Sequence, residues 1–208
     1  MAQKSARDRI IETALDLFVK HGYHNVSVDR IAKESQISKG GFYHSFKSKD
    51  ELLYTIHDIF ISYALDKARE AYGKRETPTE RLYEIIMSFS RVFELYKPHT
   101  TVFYQENHSL APEYYEKIKV KRDSYTDIIN KVVQEGMENG EFRSKPPFAI
   151  TSMAIFGMIN WTYKWYRPNG QFSIDEIGRI YADFILHALM TEQAKQNPKF
   201  SRLLLDSN

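Results

Sequence analysis

The residues best suited to binding chemistry lie near the amino terminus, where positive charge collects. From Gln36 to Lys49 the sequence has three lysines, one histidine and no Asp or Glu. Residues 1–50 hold nine Lys and Arg against six Asp and Glu, whereas the whole chain of 208 residues has a net charge of only +2. A local positive surplus attracts phosphate groups. Charge alone favours a solvated lysine cluster over a phosphate-binding face, so the helices that carry these residues must decide.

Three short helices are predicted around this stretch. Apolar residues recur with helical spacing over 10–18, and Ser27 and Ser38 are suited to cap a second and a third helix. The tripeptide 35–37 joins the last two, which is the layout of a helix-turn-helix. The third helix is therefore predicted to enter the major groove of DNA.

The start of the third helix has the small and polar residues that such a contact requires. Gly40 and Gly41 follow Lys39 there, and each glycine costs about 1 kcal/mol relative to alanine in a helix. A purely structural helix gains nothing from them, so we expect the backbone to approach a DNA strand. Lys39 can donate to guanine O6 and N7 or to a phosphate. Phe42 is expected to point inward rather than toward a thymine methyl group.

Phosphate contacts are expected from the flanks of this helix. Ser27 lies at a helix N-terminus, which attracts anions, and this role is compatible with plain capping. Tyr43, His44 and Lys49 are also expected to contact phosphates. For Tyr43 the alternative is a packing role, and for His44 it is that of a neutral surface residue. The full predicted DNA-contacting set is Ser27, Ser38, Lys39, Gly40, Gly41, Tyr43, His44 and Lys49.

The amino-terminal region resembles a known family. The matching segments are Ile10–Phe18, Gly22–Tyr23, Val26–Ala32, Ile37–Gly40, Phe42–His44, Phe46–Asp50 and Leu52–Leu53. Together they are similar to the N-terminal domain of the TetR family of bacterial transcriptional regulators. The resemblance implies an all-helical homodimer, usually a repressor, whose body binds a small inducer and whose head binds a double-stranded DNA operator. It also places Ser27, Lys39, Gly40, Tyr43, His44 and Lys49 at the DNA.

Gln36 departs from this resemblance. It occupies the turn position where the family usually has glycine. A left-handed conformation there costs a residue other than glycine about 1 kcal/mol. We therefore expect a slightly reshaped turn.

The rest of the chain is predicted to be helical as well. Ser48–Glu51, Thr77–Glu80 and Ser173–Glu176 are capping-box patterns. The periodicity predicts about nine helices in an all-α fold. The predicted division is a DNA-binding domain over 1–50, an effector-binding and dimerisation domain over 51–192, and a polar, mobile tail over 193–208 in which only Leu203–Leu205 is expected to dock.

An aromatic segment over 160–170 is the second informative feature. Trp161 and Trp165 share a helix face, and either a pocket wall or a helix-packing seam explains them equally well. The segment resembles the body of TetR regulators of fatty-acid, steroid and phenylacetate breakdown, whose effectors are acyl-coenzyme A thioesters. That resemblance implies a hydrophobic ligand, with Lys119 or Lys121 as further cations for its phosphates. The predicted ligand-binding residues are Phe89, Phe93, Phe103, Arg122, Asn160, Trp161 and Trp165.

Two apolar stripes are predicted to form a homodimer interface. One contains Phe156, Ile159 and Tyr163, and the other contains Ile177, Tyr181, Phe184 and Ala188. Pairing them across a two-fold axis gives a four-helix seam and two identical heads, which require a palindromic operator. An effector would then weaken DNA binding by changing the spacing of the heads.

Several other classes of protein are disfavoured. No apolar run reaches the roughly 18 residues of a membrane span, the start is polar, and there is no cysteine, so a cytoplasmic protein without disulfides is expected. No motif indicates an enzyme, a cofactor or a metal site, although the trio Glu106–His108 leaves metal binding as a minor alternative. A ligand-independent architectural or cell-division factor on the same fold is the remaining alternative.

Overall fold

The computed structural model describes residues 4–205, and these residues are almost entirely helical. The twelve α-helices within that range are α1 (Ala6–His21), α2 (Val28–Glu34), α3 (Lys39–Ser45), α4 (Lys49–Lys74), α5 (Pro78–Leu95), α6 (Lys97–Gln105), α7 (Pro112–Glu138), α8 (Phe148–Asn160), α9 (Thr162–Trp165), α10 (Ile174–Leu189), α11 (Glu192–Lys195) and α12 (Pro198–Ser201). A short 3-10 helix covers Asn107–Ser109.

The all-α prediction is confirmed, and each of the nine predicted helices is present. The additional α-helices within 4–205 are α9, α11 and α12, each four residues long. Helices this short carry little periodic signal, which explains why the spacing of apolar residues did not predict them. The same residues contain no β-strand, only one isolated bridge between Phe142 and Met190.

The chain divides into two compact units. The first unit holds the described residues up to Ser62 together with Tyr96–Val120, and the second holds Tyr63–Leu95 and the described residues from Lys121 onward. The predicted domain over 1–50 falls within the first unit. That unit also contains α6, which packs on α1.

The first unit is built around a small aromatic core. α1, α2 and α3 pack against one another, and Phe18, Phe42 and Phe46 are buried between them. Both predicted caps are present: Ser27 Oγ accepts from the Arg30 amide at 3.2 Å, and Ser38 Oγ accepts from the Gly41 amide at 3.0 Å. Capping satisfies amides that have no partner within the helix, so it fixes where α2 and α3 begin.

The turn between α2 and α3 has the strained geometry that the sequence suggested. Gln36 has a φ of 57°. Among residues 4–205, every other residue with a positive φ is a glycine. Its amide still donates to the Lys33 carbonyl at 3.2 Å. Glutamine therefore adopts the left-handed conformation in this turn and bears the steric strain that glycine would avoid.

The second unit is centred on the packing of α5 against α10, with α8 and α9 beside them. The predicted capping box at the start of α10 is complete, because Ser173 Oγ accepts from the Glu176 amide and Glu176 accepts from the Ser173 amide. Gly178 permits the close approach of the helices, since a Cβ there would lie 3.1 Å from the Met87 sulfur. These features fix the register of α10 on α5.

The carboxy-terminal segment, which the sequence predicted to be polar and mobile, contains α11 and α12 and makes contacts with the second unit in the described residues up to 205. Phe200 is buried, and the Lys199 ammonium lies 2.9 Å from a Glu76 oxygen. The Leu205 amide also donates to Asp183 at 2.9 Å. The segment therefore docks mainly through Phe200, whereas Leu203–Leu205 is only partly covered. Residues 206–208 of the predicted tail lie outside the described range.

None of the helices within 4–205 combines the length and the apolar character that crossing a membrane requires.

The strain at Gln36 can be measured by comparing two substitutions at that position. Because glycine has no Cβ, Gln36→Gly is expected to have a larger free energy of unfolding than Gln36→Ala, by about 1 kcal/mol. Gly73 is the matched control: it lies in α4 without a positive φ, and an added Cβ would have open space around it. There, Gly73→Ala should stabilise the protein by roughly 0.5–1 kcal/mol. Urea unfolding followed by circular dichroism measures both, and equal stability of the two variants at position 36 would refute the strain.

Candidate nucleic-acid interface and effector site

The exposed face of α3 presents few side chains. Phe42 is fully buried, which confirms that it points inward, while Lys39, Tyr43 and His44 are exposed. Ser45 turns back along the helix, where its hydroxyl donates to the Gly41 carbonyl at 3.2 Å. A helix of seven residues therefore offers three polar side chains to a partner.

Lys39 pairs with an acid on the preceding helix. Its Nζ lies 2.8 Å from Asp29 Oδ1, and both side chains remain well exposed. The hydrogen bond and charge of Asp29 raise the pKa of Lys39, so the ammonium stays charged. Asp29, in the first turn of α2, was not among the predicted site residues. Its proximity follows from the α2–α3 packing, which residue spacing alone does not give.

The two glycines of α3 have different surroundings. The expectation that neither of them serves packing within the protein is wrong for Gly41. A Cβ on Gly41 would lie 2.7 Å from Ile37 Cγ2 and 3.3 Å from Ser38 Oγ. Packing inside the protein therefore explains this glycine. A Cβ on Gly40 would have only Ser38 Oγ within reach, at 3.9 Å. The close-approach interpretation thus applies to Gly40.

Lys49 bonds within the protein, which qualifies the prediction that it contacts phosphate. Its Nζ donates to the Tyr23 and Val26 carbonyls, both at 2.9 Å, and lies 4.1 Å from the centre of the Tyr23 ring. Burial lowers its pKa. Two of the three N–H donors of the ammonium are thus committed to holding the α1–α2 turn.

The same turn is held from two other sides. The Tyr23 hydroxyl donates to Asp50 at 2.6 Å, and its amide donates to Glu106 at 3.0 Å. Burial and the Asp50 hydrogen bond raise the pKa of Tyr23. We call Tyr23, Lys49, Asp50 and Glu106 the Tyr23 junction. It connects the turn with the start of α4 and the end of α6, all within the first unit.

Glu106 acts as a hydrogen-bond acceptor in this arrangement. Besides the Tyr23 amide, it accepts from the Ser109 hydroxyl at 2.8 Å. Within residues 4–205 no group of three or more His, Cys, Asp or Glu side chains is placed to hold a metal ion. The contacts of Glu106 therefore account for it without the metal-binding alternative raised for Glu106–His108.

An aromatic cluster forms the interior of the second unit. The ring centre of Phe89 lies 5.6 Å from that of Phe93 and 5.2 Å from that of Tyr125. The ring centres of Tyr125 and Phe156 are 5.8 Å apart. We call Phe89, Phe93, Tyr125 and Phe156 the Phe89 cluster. The sequence predicted Phe89 and Phe93 as ligand-binding residues, and the structure brings them together. Tyr125 was missed because the apolar stripe of α7 reads as ordinary core.

Polar atoms without partners lie on the same face of α8. Ser152, Phe156 and Asn160 follow one another at intervals of four residues, which places them in one row. Ser152 Oγ and Asn160 Oδ1 are buried and have no hydrogen-bond partner among residues 4–205. Such atoms destabilise a fold by about 1–3 kcal/mol each unless a ligand or ordered water pairs with them. The row therefore combines an apolar surface with unused hydrogen-bonding capacity.

The remaining predicted ligand residues are dispersed. Trp161 and Trp165 are 61% and 44% exposed, so within this chain they form neither an interior pocket wall nor a helix-packing seam. Phe103 belongs to the first unit, where its ring centre lies 5.0 Å from His57. Arg122 lies on α7 one turn before Tyr125 and is half-buried.

His57 is a further buried polar group in the first unit. Neither ring nitrogen has a hydrogen-bond partner among residues 4–205, and burial lowers its pKa to about 3. The imidazole is therefore neutral at physiological pH. Sequence reasoning did not single it out, since its spacing in α4 is that of a core residue.

The helix-turn-helix with a separate helical body is the architecture of a DNA-binding regulator. Two family models match the sequence: bacterial regulatory proteins of the tetR family over residues 10–55, and the tetracyclin repressor-like C-terminal domain over residues 75–189. The chain belongs to the tetR family of bacterial transcriptional regulators. The predicted family is thus confirmed, and its members are regulators rather than enzymes.

Individual relatives cover nearly the whole chain. The transcriptional repressor KstR2 of Mycobacterium tuberculosis is 25% identical over 193 residues, covering 90% of this chain and 94% of the relative, and its structure has a TM-score of 0.84. The regulator PfmR of Thermus thermophilus is 33% identical, covering 88% of this chain and 100% of its own, with a TM-score of 0.81. AibR in complex with isovaleryl coenzyme A and operator DNA is 22% identical, covering 89% of this chain and 98% of its own, with a TM-score of 0.75.

The different environments of the two α3 glycines give opposite expectations for stability. Gly41→Ala should lower the free energy of unfolding by about 1–3 kcal/mol, because the new methyl group overlaps the Ile37 side chain. Gly40→Ala should leave it unchanged or raise it by roughly 0.5–1 kcal/mol, since alanine is the better helix former. Thermal unfolding of both variants measures the difference. Equal destabilisation by the two changes would contradict the assignment of Gly41 to internal packing.

Proposed function

We propose that this protein is a homodimeric transcriptional repressor that leaves a palindromic operator when it binds an acyl-coenzyme A thioester. The observation that carries the effector part is the Phe89 cluster, whose member Phe156 lies on the same face of α8 as the buried, unpaired Ser152 and Asn160 atoms. A mainly apolar ligand with a few polar groups satisfies both features. The other parts of the proposal rest on the exposed faces of α3, α8 and α10.

The DNA-binding face is formed by the caps and exposed side chains of α2 and α3. Lys39 is available to base edges, and Tyr43 and His44 project beside it. The Ser27 and Ser38 hydroxyls hold helix N-termini whose remaining amides attract phosphate. Gly40 permits the backbone to approach a strand. Lys49 contributes mainly by fixing the α1–α2 turn. Two of the three N–H donors of its ammonium bond to carbonyls there, so one remains for a phosphate.

The homodimer is supported by apolar side chains that the single chain leaves exposed. On α8 and just beyond it, Ile150, Met153, Met158 and Trp161 are exposed, and on α10 Phe184 is 59% exposed. An apolar groove of about 190 Å³ lies between these helices, bordered by Ala154, Met158, Phe184 and Ala188 among others. Ile159 and Ile177, expected in the seam, are buried within the chain instead, and Phe156, also expected there, packs on Tyr125 in the Phe89 cluster. Contiguous exposed apolar surface of this kind marks an interaction site.

The acyl-coenzyme A class is supported by the relatives as well as by the site. AibR was crystallised with isovaleryl coenzyme A and operator DNA, and it shares this fold. The Ser152 hydroxyl can donate to a thioester carbonyl while the Phe89 cluster contacts the acyl chain. Arg122 remains the proposed partner for a coenzyme phosphate. The effector acts only through its different affinity for the DNA-bound and the free state.

The effector class is tested by thermal-shift and operator-release measurements with isovaleryl, lauroyl and palmitoyl coenzyme A. At least one thioester should raise the Tm and dissociate the protein from a duplex selected in vitro from a random pool. Coenzyme A alone and the free acids should act weakly, because each lacks one half of the recognised molecule. If no thioester shifts the Tm, the acyl-coenzyme A assignment is wrong, while the proposed DNA binding is unaffected. A genome-wide binding map tests the alternative, because many dispersed binding sites would favour the ligand-independent factor.

The Ser152 hydroxyl provides a sharper readout of the same site. Ser152→Ala removes an unpaired buried oxygen, so stability should not fall, while the Kd for the active thioester should rise roughly fivefold. Ser90→Ala is the matched control, because Ser90 is equally buried but its hydroxyl already donates to the Ile86 carbonyl at 2.9 Å. Isothermal titration calorimetry compares the two variants, and an unchanged Kd in Ser152→Ala would exclude the hydroxyl from the site.

The dimer interface is tested with a charge on α10. Phe184→Glu places two carboxylates in a two-fold interface, so the protein should become monomeric at micromolar concentration and lose at least about tenfold in operator affinity. Leu95→Glu is the control, since Leu95 is 58% exposed but lies at the end of α5. Light scattering coupled to gel filtration reports the mass of each variant. A dimeric Phe184→Glu protein would contradict the proposed seam.

A further inference from the structure

The ion pair between α2 and α3 brings an acid to the start of the recognition helix. Lys39 is the first residue of α3, and Asp29 Oδ1 lies 2.8 Å from its Nζ. The N-terminal residues of the second helix of a helix-turn-helix are the ones that contact base edges. Asp29 therefore lies where bases are contacted, although it belongs to α2.

The pair presents hydrogen-bonding groups of both kinds. An ammonium has three donors and a carboxylate has about four lone-pair positions, so their mutual bond leaves capacity on each side. Both side chains are more than 60% exposed, at 61% for Lys39 and 69% for Asp29, so these groups face outward. In the major groove, a G·C pair shows acceptors on guanine O6 and N7 and a donor on cytosine N4. The ion pair is complementary to that pattern.

We propose that Asp29 is a base-contacting residue that accepts a hydrogen bond from a cytosine amino group while Lys39 donates to a guanine. This assignment rests on the proposed function, because it requires sequence-specific DNA binding through α3. The two residues then act as one unit whose preferred partner is a G·C pair, or two adjacent ones, in each half of the operator.

The charge of Asp29 gives this contact a second consequence. A carboxylate beside the phosphate backbone opposes binding to every sequence, since non-specific affinity comes from neutralised phosphates. At a site with a correctly placed cytosine, the amino group compensates for that repulsion. At other sites the repulsion remains. Asp29 thereby raises discrimination by weakening the wrong complexes as well as by stabilising the right one.

The experiment uses the full-length dimer and a duplex selected in vitro from a random pool of about 30 base pairs, long enough for two half-sites one helical turn or more apart. In that duplex each cytosine of the half-sites is replaced, one at a time, by 2-pyrimidinone, which pairs with guanine but lacks the 4-amino group. At one position per half-site, the wild-type affinity should fall by about tenfold, the order expected for a specific base contact. The Asp29→Ala variant should bind the cytosine duplex and the duplex with 2-pyrimidinone at that position equally well.

Glu34→Ala is the matched control, because it removes an exposed acid from the same helix, where Glu34 pairs with Arg30 at 2.9 Å. This variant should keep the wild-type preference for the amino group. If Asp29→Ala binds all duplexes more tightly with unchanged base preferences, Asp29 is only a charge beside Lys39 and the assignment is overturned. If wild-type protein selects no sequence at all, sequence-specific binding itself fails, and the proposed function fails with it.

Discussion

The proposed DNA-binding face of α2 and α3 depends on the Tyr23 junction, a set of half-buried polar contacts in the first unit. Lys49 holds two carbonyls of the α1–α2 turn, and the Tyr23 hydroxyl and amide are held by Asp50 and Glu106. Charge-assisted hydrogen bonds are about twice as strong as neutral ones, and burial increases the loss when one partner is removed. Tyr23 therefore connects the α1–α2 turn with two other segments, the start of α4 and the end of α6.

The same junction limits what Lys49 can do at DNA. A lysine that bonds two carbonyls and lies over an aromatic ring has given up much of its freedom to follow a phosphate. Its contribution to DNA binding is then mostly indirect, through the shape of the turn. Lys39 differs, because its partner Asp29 is exposed and an exposed ion pair is weak enough to exchange for other partners. Two lysines that each follow a capping serine therefore differ in their freedom to contact DNA.

Features that depend on a few neighbouring residues could be predicted from the sequence. The caps at Ser27, Ser38 and Ser173, the strained turn at Gln36 and the inward position of Phe42 all follow from local rules. Contacts between distant segments could not be predicted in this way. The overlap of a Gly41 Cβ with Ile37, the approach of Asp29 to Lys39 and the docking of Phe200 depend on how helices pack, which the spacing of one helix does not contain.

Helical spacing also failed to distinguish a pocket wall from an interface for Trp161 and Trp165, because both environments require large apolar side chains. Burial within the single chain supplies the missing information: the indoles are exposed, whereas the Phe89 cluster is covered. An apolar residue can lie in the core, in a ligand pocket or in an interface with another chain, and a periodic pattern indicates only that water is not its preferred environment.

The small number of side chains on α3 constrains how this protein can recognise an operator. Gly40 and Gly41 have no side chain, Phe42 is buried and Ser45 bonds to its own helix, so Lys39, Tyr43 and His44 remain. Three side chains, together with the proposed contact from Asp29, can specify only a few base pairs directly, at about 1–3 kcal/mol for each good pair. In the proposed homodimer, the rest of the discrimination comes from doubling these contacts and from the sequence-dependent shape of the DNA between the half-sites. Gly40 favours this mode, because it lets the backbone of α3 come close to the phosphates and detect groove shape where the helix lacks side chains to contact bases.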